Sequence, residues 1–195
     1  MPVDKARNGH IAVSADGENW IWTSDRSYAY LTRDKGASWV QCQGLPQNMR
    51  VIADKVNPKR FYGVDAVNEI VYSSEDGGLT FRADTLALTV RQPSRRPKAV
   101  ARNSRGDSRG GQDRIYSMPG REKDLWIAAY DGLYHSTSLE GYDFKALDKV
   151  RTICIRLWKG SAWEKLSYII YHRCGKRQIR ILPFRRHCQI LGTDQ

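Results

Sequence analysis

The chain lacks the long hydrophobic runs that direct a protein into or across a membrane. It contains no run of the roughly 18 apolar residues that a membrane helix needs, and its opening, MPVDKARNGH, has no apolar stretch of signal-peptide length. We therefore expect no membrane partner and no export signal here, and the compartment stays unknown. With 41% hydrophobic residues in 195, the chain is still long and apolar enough for one or two ordinary domains.

Cysteine is scarce in most of the chain. Only Cys42 lies in the first 150 residues, so this part has no disulfide framework, and cysteine usage does not identify the compartment. The other three cysteines lie near the end of the chain with two histidines: Cys154, Cys174, Cys188, His172 and His187. Because no C-x-x-C pair occurs among them, we expect no metal site, and nothing indicates a cofactor.

Acidic residues are few in the last 45 residues, which carry most of the excess positive charge. The net charge is +11, of which residues 151–195 supply +8, with ten Lys or Arg against two acids, and the other 150 residues supply +3. Aromatic residues lie among these basic residues, as in an RNA-binding arm: Tyr168, Tyr171 and Phe184. A basic nucleic-acid-binding protein is therefore a third hypothesis, but the nearly neutral body leads us to expect no nucleic-acid partner.

The body contains an internal repeat. The segment 30–39, YLTRDKGASW, matches the segment 72–81, YSSEDGGLTF, at each position of the pattern Y-x-[ST]-x-D-x-G-x-[ST]-[WF], with an offset of 42 residues. This period is typical of a four-stranded propeller blade, and short alternating strands are predicted around each copy. They are Ser27–Thr32, Trp39–Gln43, Phe61–Asp65, Ile70–Ser74 and Thr80–Leu86. The sequence therefore predicts an all-β fold, a partial β-propeller of about three blades.

A looser third copy extends the repeat toward residue 150. It keeps Tyr134, Ser136 and Phe144 but has no Asp in the turn. Phe144 lies 63 residues after Phe81, and this offset becomes about 42 when a 20-residue insertion between them is left out. The predicted domains are a partial propeller over 1–150, with a basic insertion loop at 91–111, and a basic tail over 151–195. We expect the Arg-rich insertion to be a solvated loop, with a cleft-lining role as the alternative.

The chemistry of the repeated turn predicts a structural role. Its Asp accepts backbone N–H bonds, its Gly supplies a positive φ, and its aromatic residue enters the core where the next strand begins. We interpret eight residues as such staples and none as catalytic acids: Thr32, Asp34, Gly36, Trp39, Ser74, Asp76, Gly78 and Phe81. The similar Ser14-Ala15-Asp16-Gly17 lacks the spacing and is predicted to be an ordinary hairpin turn.

The repeated pattern is the Asp-box, which sialidases, sortilin-like receptors and several glycoside hydrolases share. Five segments, in this order, resemble the second propeller of glycoside hydrolase family 74 over about residues 9–150: IAVSADGENWIW, GASWVQCQGLP, VIADKVNPKRFYGVD, IVYSSEDGGLTF and PGREKDLWIAAYDGLYHST. The resemblance implies a fragment of a secreted, inverting hydrolase of xyloglucan and related β-1,4-glucans, with two seven-bladed propellers around the polymer. A non-catalytic Asp-box propeller that binds a glycan or a protein is the alternative function.

The resemblance transfers no catalytic residue to this chain. The family uses one Asp from each propeller, and inversion needs the two carboxyl groups roughly 6.5–9.5 Å apart to admit a water. One Asp belongs to the other propeller, and the GD-x-x-GF-like segment that carries the second is not found in this sequence. We therefore expect a fragment that is inactive alone.

Four aromatic residues are candidates for stacking on sugar rings: Trp20, Trp22, Trp126 and Tyr130. A pyranose presents an apolar face that fits an aromatic ring. The alternative is packing between blades, which we favour because aromatic residues on propeller strands mostly fill the space between sheets.

The repeat stops after Val150, where the charge also changes, and this suggests a shifted reading frame. Codons that encode residues 151–195 can be chosen so that, when read in a shifted frame, they give a sequence that resembles the family's next blade. That sequence contains the Asp-box-like segment SVDIAKSW near its end. In that frame Trp158 and Trp163 each become Gly, at positions where the family has Gly. We expect the tail to be out-of-frame translation of the next blade, to form no regular Asp-box blade, and to form at most stray strands or a helix from its apolar residues.

Overall fold

In a computed structural model the described residues are 7–25, 27–65, 68–89, 114–129, 132–136, 142–148, 152–158, 167–173 and 179–184. They form β-strands and turns, with no helix among them, so the all-β prediction is confirmed. Within these ranges there is no helix of the length and apolarity that crossing a membrane requires. The basic insertion at 91–111 lies outside the described residues.

Three antiparallel sheets follow one another along the chain as blades. Blade 1 contains β1 (Arg7–Val13), β2 (Trp20–Asp25), β3 (Tyr30–Thr32) and β4 (Val40–Gln41). Blade 2 contains β5 (Val51–Ala53), β6 (Phe61–Asp65), β7 (Ile70–Ser74) and β8 (Arg82–Thr85). Blade 3 contains β10 (Arg114–Ser117), β11 (Leu125–Ala129), β12 (Gly132–Ser136) and β13 (Asp143–Asp148), and β9 (Ala87–Thr89) pairs with β13. The predicted meanders of about three blades are therefore present.

The blades share one register, which makes their residues comparable position by position. In each blade, one residue of the first strand pairs with the third residue of the second strand. In blades 1, 2 and 3 these first-strand residues are Ile11, Val51 and Ile115. Two residues further on, each first strand pairs with the first residue of the second strand through Val13, Ala53 and Ser117. Because side chains alternate along a strand, equivalent residues point to the same side of their blades.

Each blade therefore has two faces with different neighbours. On blade 2, Val51, Ala53 and Phe61 belong to a core shared with blade 1, whereas Ile52 and Tyr62 belong to a core shared with blade 3. We name these the preceding face and the following face of a blade. Burial of apolar side chains between the faces is the main stabilising contribution of this arrangement.

A parallel backbone contact links each described blade to the next. Gln43, just beyond β4, forms a bridge with Thr80: its N–H donates to the Leu79 carbonyl at 2.8 Å, and its carbonyl accepts from the Phe81 N–H at 2.9 Å. At the next step along the chain, β9 pairs in parallel with β13 over three residues. We name this contact the interblade bridge.

The tail forms a smaller sheet rather than a four-stranded one in the described ranges. Strands β14 (Thr152–Trp158), β15 (Ser167–Arg173) and β16 (Ile179–Phe184) pair in antiparallel order, and β14 runs beside β10 and β11. The reading-frame interpretation of the tail stays a prediction.

Candidate functional site

The first Asp-box turn joins β3 to β4 and binds its own backbone. The Thr32 hydroxyl donates to Asp34 Oδ1 at 2.7 Å and accepts from the Gly36 N–H at 2.9 Å. Asp34 Oδ1 also accepts from the Ser38 N–H at 2.8 Å, and Oδ2 accepts from the Ser38 hydroxyl. The Trp39 ring N–H donates to the Gly36 carbonyl at 3.1 Å, which fixes the ring where the next strand begins. The turn is thus closed by side-chain hydrogen bonds.

The second Asp-box turn, between β7 and β8, repeats these bonds. The Ser74 hydroxyl donates to Asp76 Oδ1 at 2.8 Å and accepts from the Gly78 N–H at 2.9 Å. Asp76 also accepts from the backbone N–H groups of Leu79 and Thr80, both at 3.0 Å to Oδ1, and from the Thr80 hydroxyl. The shared bonding agrees with the structural interpretation of both turns.

The hydrogen bonds keep both Asp-box carboxyl groups ionised. For Asp34, the Ser38 hydroxyl is the largest cause of a pKa well below the ordinary value, followed by the Ser38 N–H and the Thr32 hydroxyl. For Asp76, partial burial raises the pKa, but the bonds from Thr80, Ser74 and Leu79 outweigh it, and the net pKa is lowered. Such groups are poor proton donors near neutral pH.

The two Asp-box turns lie on one rim of the blades and are joined by Arg33. Its guanidinium donates to the Asp76 carbonyl at 3.2 Å and to the Asn19 side chain, also at 3.2 Å. Asn19 belongs to the turn between β1 and β2, and a Cβ on Gly77 would lie 3.3 Å from its side-chain oxygen. These contacts place the turns of Asp34 and Asp76 side by side on the same rim.

The Ser14-Ala15-Asp16-Gly17 turn is a hairpin, as predicted, but it contains part of the Asp-box chemistry. The Ser14 hydroxyl donates to Asp16, and the Trp20 ring N–H donates to the Gly17 carbonyl at 2.7 Å, as Trp39 does to Gly36. The Ser14 bond is the first cause of a lowered Asp16 pKa. The spacing of the motif could not show this similarity, because the turn closes over a different number of residues.

Asp54 is a buried carboxylate that sequence reasoning missed. It has no exposed surface and accepts from the N–H groups of Val56 at 2.8 Å and Asn57 at 3.0 Å in its own turn. Its Oδ2 also accepts from the Tyr62 hydroxyl at 3.1 Å and from the Lys123 N–H of blade 3 at 3.0 Å. The carboxylate therefore joins two blades, and it has no free position for a substrate proton.

Asp124, Trp126 and His135 form a second buried polar cluster, on the following face of blade 3. Asp124 Oδ1 lies 2.7 Å from His135 Nε2 and accepts from the Trp126 ring N–H at 3.0 Å. The Trp126 and His135 rings stack, with centroids 3.8 Å apart and planes 20° apart. A carboxylate that orients a histidine is half of a nucleophilic triad, and these contacts by themselves supply no nucleophile. Its members come from neighbouring strands at unrelated spacing, so no motif pointed to them.

The structure places three of the four candidate sugar-stacking residues on blade faces. Trp20 is half-buried and Trp22 is buried, both on the preceding face of blade 1, whereas Trp126 is buried on the following face of blade 3. Trp22 and Trp126 are 5% and 1% exposed, so neither ring presents an open face to a sugar in this structure. Tyr130 lies outside the described residues. Sugar binding at the four residues stays a prediction.

Metal and thiol chemistry find no support in the described part of the chain. No group of three or more His, Cys, Asp and Glu residues is placed there to hold a metal ion. Cys42 is buried, and burial together with the nearby charge of Asp76 raises its pKa to about 12. A thiol of this pKa is not a nucleophile at neutral pH.

Known proteins resemble this chain in sequence and in fold. No family model matches it. It is 37% identical over 136 residues to the xyloglucanase Xgh74A of Acetivibrio thermocellus, a match that covers 68% of the chain and 14% of that relative. A xyloglucanase of a Paenibacillus species is 30% identical over 155 residues, covering 76% of the chain and 13% of the relative. The chain thus spans about one seventh of these relatives.

Solved structures give the same fold. The GH74 xyloglucanase of Xanthomonas campestris superimposes with a TM-score of 0.64 at 20% identity, over 87% of the chain and 22% of that structure. The GH74 enzyme of Niastella koreensis has a TM-score of 0.61 at 24% identity, over 87% of the chain and 23% of that structure. These structures show the shared fold, and the sequence identities of 37% over 68% of the chain and 30% over 76% of it show that the chain belongs to glycoside hydrolase family 74 and corresponds to a fragment of its members.

Proposed function

We propose that the chain forms part of one propeller in a xyloglucan-degrading hydrolase and does not cleave xyloglucan by itself. The observation that carries this proposal is that its conspicuous carboxylates are all engaged in structural hydrogen bonds. Asp34 and Asp76 close their own turns, and Asp54 joins two blades.

Because a polysaccharide is too large to cross a membrane, we further propose that the intact protein acts outside the cell, without a nucleic-acid partner.

The physical requirement for inversion supports the lack of activity. One carboxyl group must be protonated at the leaving oxygen while an ionised one activates water from the opposite face of the sugar. The lowered pKa of Asp34 and Asp76 removes both from the first role. Asp124 is 4% exposed and bonded to His135, so it is not presented to a polymer.

The test is an assay of reducing-sugar release from xyloglucan by the purified chain, with a curated xyloglucanase relative as the positive control. We expect no release above the buffer blank. Release that disappears in Asp34→Asn or Asp76→Asn, while strand content by circular dichroism is kept, would show that an Asp-box carboxylate is catalytic. Release that survives both substitutions would point to another carboxylate, and either result would overturn the proposal.

A second candidate function is glycan binding without catalysis. It is favoured by the apolar and aromatic preceding face of blade 1, where Trp20, Tyr30 and Trp39 are half-buried rather than buried. Affinity electrophoresis separates the candidates. Retardation of the chain by xyloglucan, reduced by Trp20→Ala and absent with an unrelated polymer such as dextran, would support binding. Unchanged mobility in every gel would contradict glycan binding and leave only the structural role within a propeller.

We also propose that residues 151–195 arise from a shifted reading frame. The tail supplies +8 of the net charge of +11, and the sequence relatives cover 68% and 76% of the chain. Resequencing the gene tests this directly. A single-base insertion or deletion near codon 150 relative to an independent isolate is the expected result, and an identical, uninterrupted frame in both would refute it.

A further inference from the structure

One position of the second strand carries a large side chain in blades 1 and 3 but none in blade 2. It is the third residue of that strand, which is Trp22 in blade 1, Gly63 in blade 2 and Ile127 in blade 3. Trp22 and Ile127 are 5% and 0% exposed, so each fills space on the preceding face of its blade. Because protein interiors are close-packed, blade 2 needs a side chain from elsewhere over Gly63.

The side chain of Met49 supplies it. A Cβ on Gly63 would lie 3.0 Å from Met49 Cγ and 3.2 Å from its Sδ. Met49 is half-buried and packs against the core that blades 1 and 2 share. It belongs to the linker between β4 and β5. The core between these blades is thus completed by a linker side chain where the other blades use a strand residue.

The linker holds Met49 at the end of this core that lies away from the Asp-box turns. Met49 precedes β5, whereas the turn after β5 bonds to the second Asp-box turn, through the Lys59 carbonyl and the Gly77 N–H at 2.9 Å. The linker is anchored to blade 1, because the Asn48 N–H donates to the Ser27 carbonyl at 3.1 Å. Both sequence neighbours of Met49 are exposed. Its thioether is therefore part of the core and also within reach of small solutes.

A thioether in this position is open to a chemical change that an aliphatic side chain resists. The sulfur attacks one oxygen of a hydroperoxide such as hydrogen peroxide, and an S–O bond forms as the O–O bond breaks. The proton of the transferred hydroxyl passes to the departing hydroxide, which leaves as water. The sulfur gives up two electrons, and the product is methionine sulfoxide, which is polar and disrupts apolar packing. Its oxygen would be buried without a donor, or would draw the side chain out and leave a cavity over Gly63.

We propose that Met49 is a modification site, at which oxidation by hydroperoxides to the sulfoxide loosens the packing of blade 1 against blade 2. Met118 in blade 3 is the internal comparison, because it is 0% exposed and its N–H donates to the Asp124 carbonyl at 2.9 Å. The change is reversible, since methionine sulfoxide reductases restore the thioether at the expense of a dithiol. The inference does not depend on hydrolase activity.

The first test treats the full chain with hydrogen peroxide and follows each methionine by peptide mass spectrometry. We expect Met49 to gain one oxygen at least about tenfold faster than Met118 in the folded chain. In the urea-unfolded chain the two should react at similar rates, because neither is then shielded. Oxidation of Met49 no faster than that of Met118 in the folded chain would overturn the proposal.

The second test compares the oxidised chain with the reduced chain. We expect the Asn48 amide to exchange at least about tenfold faster after oxidation, with a lower urea midpoint. The Lys123 amide, which bonds to Asp54 between blades 2 and 3, should change less. Treatment with a sulfoxide reductase should restore both values. Unchanged exchange and an unchanged midpoint after complete oxidation of Met49 would contradict the proposal.

Met49→Leu is the matched control for oxidation at other residues. Leucine fills a similar volume without a thioether, so this variant should fold and should keep its midpoint after the same peroxide treatment. A fall in the midpoint as large as that of the natural chain would assign the effect to another oxidised residue, and Met49 would not be the site.

Gly63→Ala tests whether Met49 lies over the glycine. Gly63 is in a regular strand, and the added methyl group must displace Met49 Cγ, only 3.0 Å away. We expect Met49 to be oxidised several-fold faster than in the natural chain, with strand content kept. Gly17→Ala, where nothing lies within 4 Å of the new Cβ, is the control and should leave the rate unchanged. Equal rates in the natural chain and in Gly63→Ala would show that Met49 does not fill this space.

Discussion

Glycine is constrained differently at positions that share the same backbone angle. Gly17 and Gly44 have φ values of 81° and 80°, a region that residues with a Cβ rarely adopt. Nothing lies within 4 Å of a Cβ built on Gly17, whereas one on Gly44 would lie 2.1 Å from the Phe81 carbonyl oxygen. The first glycine is required by its angle alone, and the second also by the approach of the neighbouring blade.

This difference predicts unequal costs for the same substitution. Gly17→Ala should lower the free energy of unfolding by about 1 kcal/mol, the cost of the backbone angle. Gly44→Ala should lower it by about 3 kcal/mol or more, because the backbone of Phe81, whose N–H belongs to the interblade bridge, must move away to admit the methyl group. Urea unfolding followed by tryptophan fluorescence measures both. Equal losses at the two sites would mean that the bridge at Gln43 adds nothing to stability.

Individual residues also show where sequence reasoning reached its limit. The eight Asp-box residues follow a spacing, so their turns and bonds were predictable from the sequence. The pair of Asp124 and His135 has no spacing to reveal it, because two strands must pair before the side chains meet. Whether an aromatic residue such as Trp126 packs or binds depends likewise on which face of a blade is covered.

At the scale of strands, the prediction was best where the apolar pattern was not interrupted by a turn. Phe61–Asp65 and Ile70–Ser74 have the bounds expected from the sequence. The predicted strand at Thr80–Leu86 is shortened to Arg82–Thr85, because the Asp76 carboxylate holds Thr80 within the turn. Strand β9 was missed, since a three-residue parallel addition depends on the neighbouring blade rather than on local pattern.

The rim turn around Asp54 is the element whose loss should separate blades 2 and 3. Asp54→Ala removes the acceptor of the Tyr62 hydroxyl and of three backbone N–H groups, including that of Lys123. Because buried donors without acceptors are costly, we expect a loss of about 3 kcal/mol or more in the free energy of unfolding. Tyr62→Phe, which removes one of these donors, should cost about 1 kcal/mol.

The comparison of the two variants in urea decides whether Asp54 acts as an interblade clamp. If Asp54→Ala costs no more than Tyr62→Phe, the bonds to backbone N–H groups are replaced by water and the clamp is not significant. Hydrogen exchange at the Lys123 amide gives an independent reading. It should accelerate in Asp54→Ala and stay slow in Tyr62→Phe.

For the whole molecule, positive charge and open surfaces act in opposite directions. A net charge of +11 keeps chains apart, whereas the exposed apolar side chains of Ile11 and Val13 on blade 1 favour association. Repeat proteins depend on contacts between neighbours, so a set of three blades has fewer stabilising interfaces than a closed propeller. Conditions that change charge should therefore change both stability and association.

Acid should destabilise the folded chain through its turn carboxylates. The pKa values of Asp16, Asp34 and Asp76 are lowered from 3.8 in the folded chain, so the unfolded chain binds more protons as the pH falls. The stability they contribute is fully present above the unfolded pKa and is lost as the pH falls through the lower folded values. Because these groups are largely exposed, we expect a partial loss rather than complete unfolding from this cause.

The measurement is the urea midpoint at about pH 6 and about pH 3, for the natural chain and for Asp34→Asn combined with Asp76→Asn. The natural chain should lose stability between the two pH values. The double variant should be less stable at the higher pH, because its amides accept weaker hydrogen bonds, and should change less with pH. An equal pH dependence in both proteins would assign acid sensitivity to other groups, and the Asp-box bonds would then have the same strength in both protonation states.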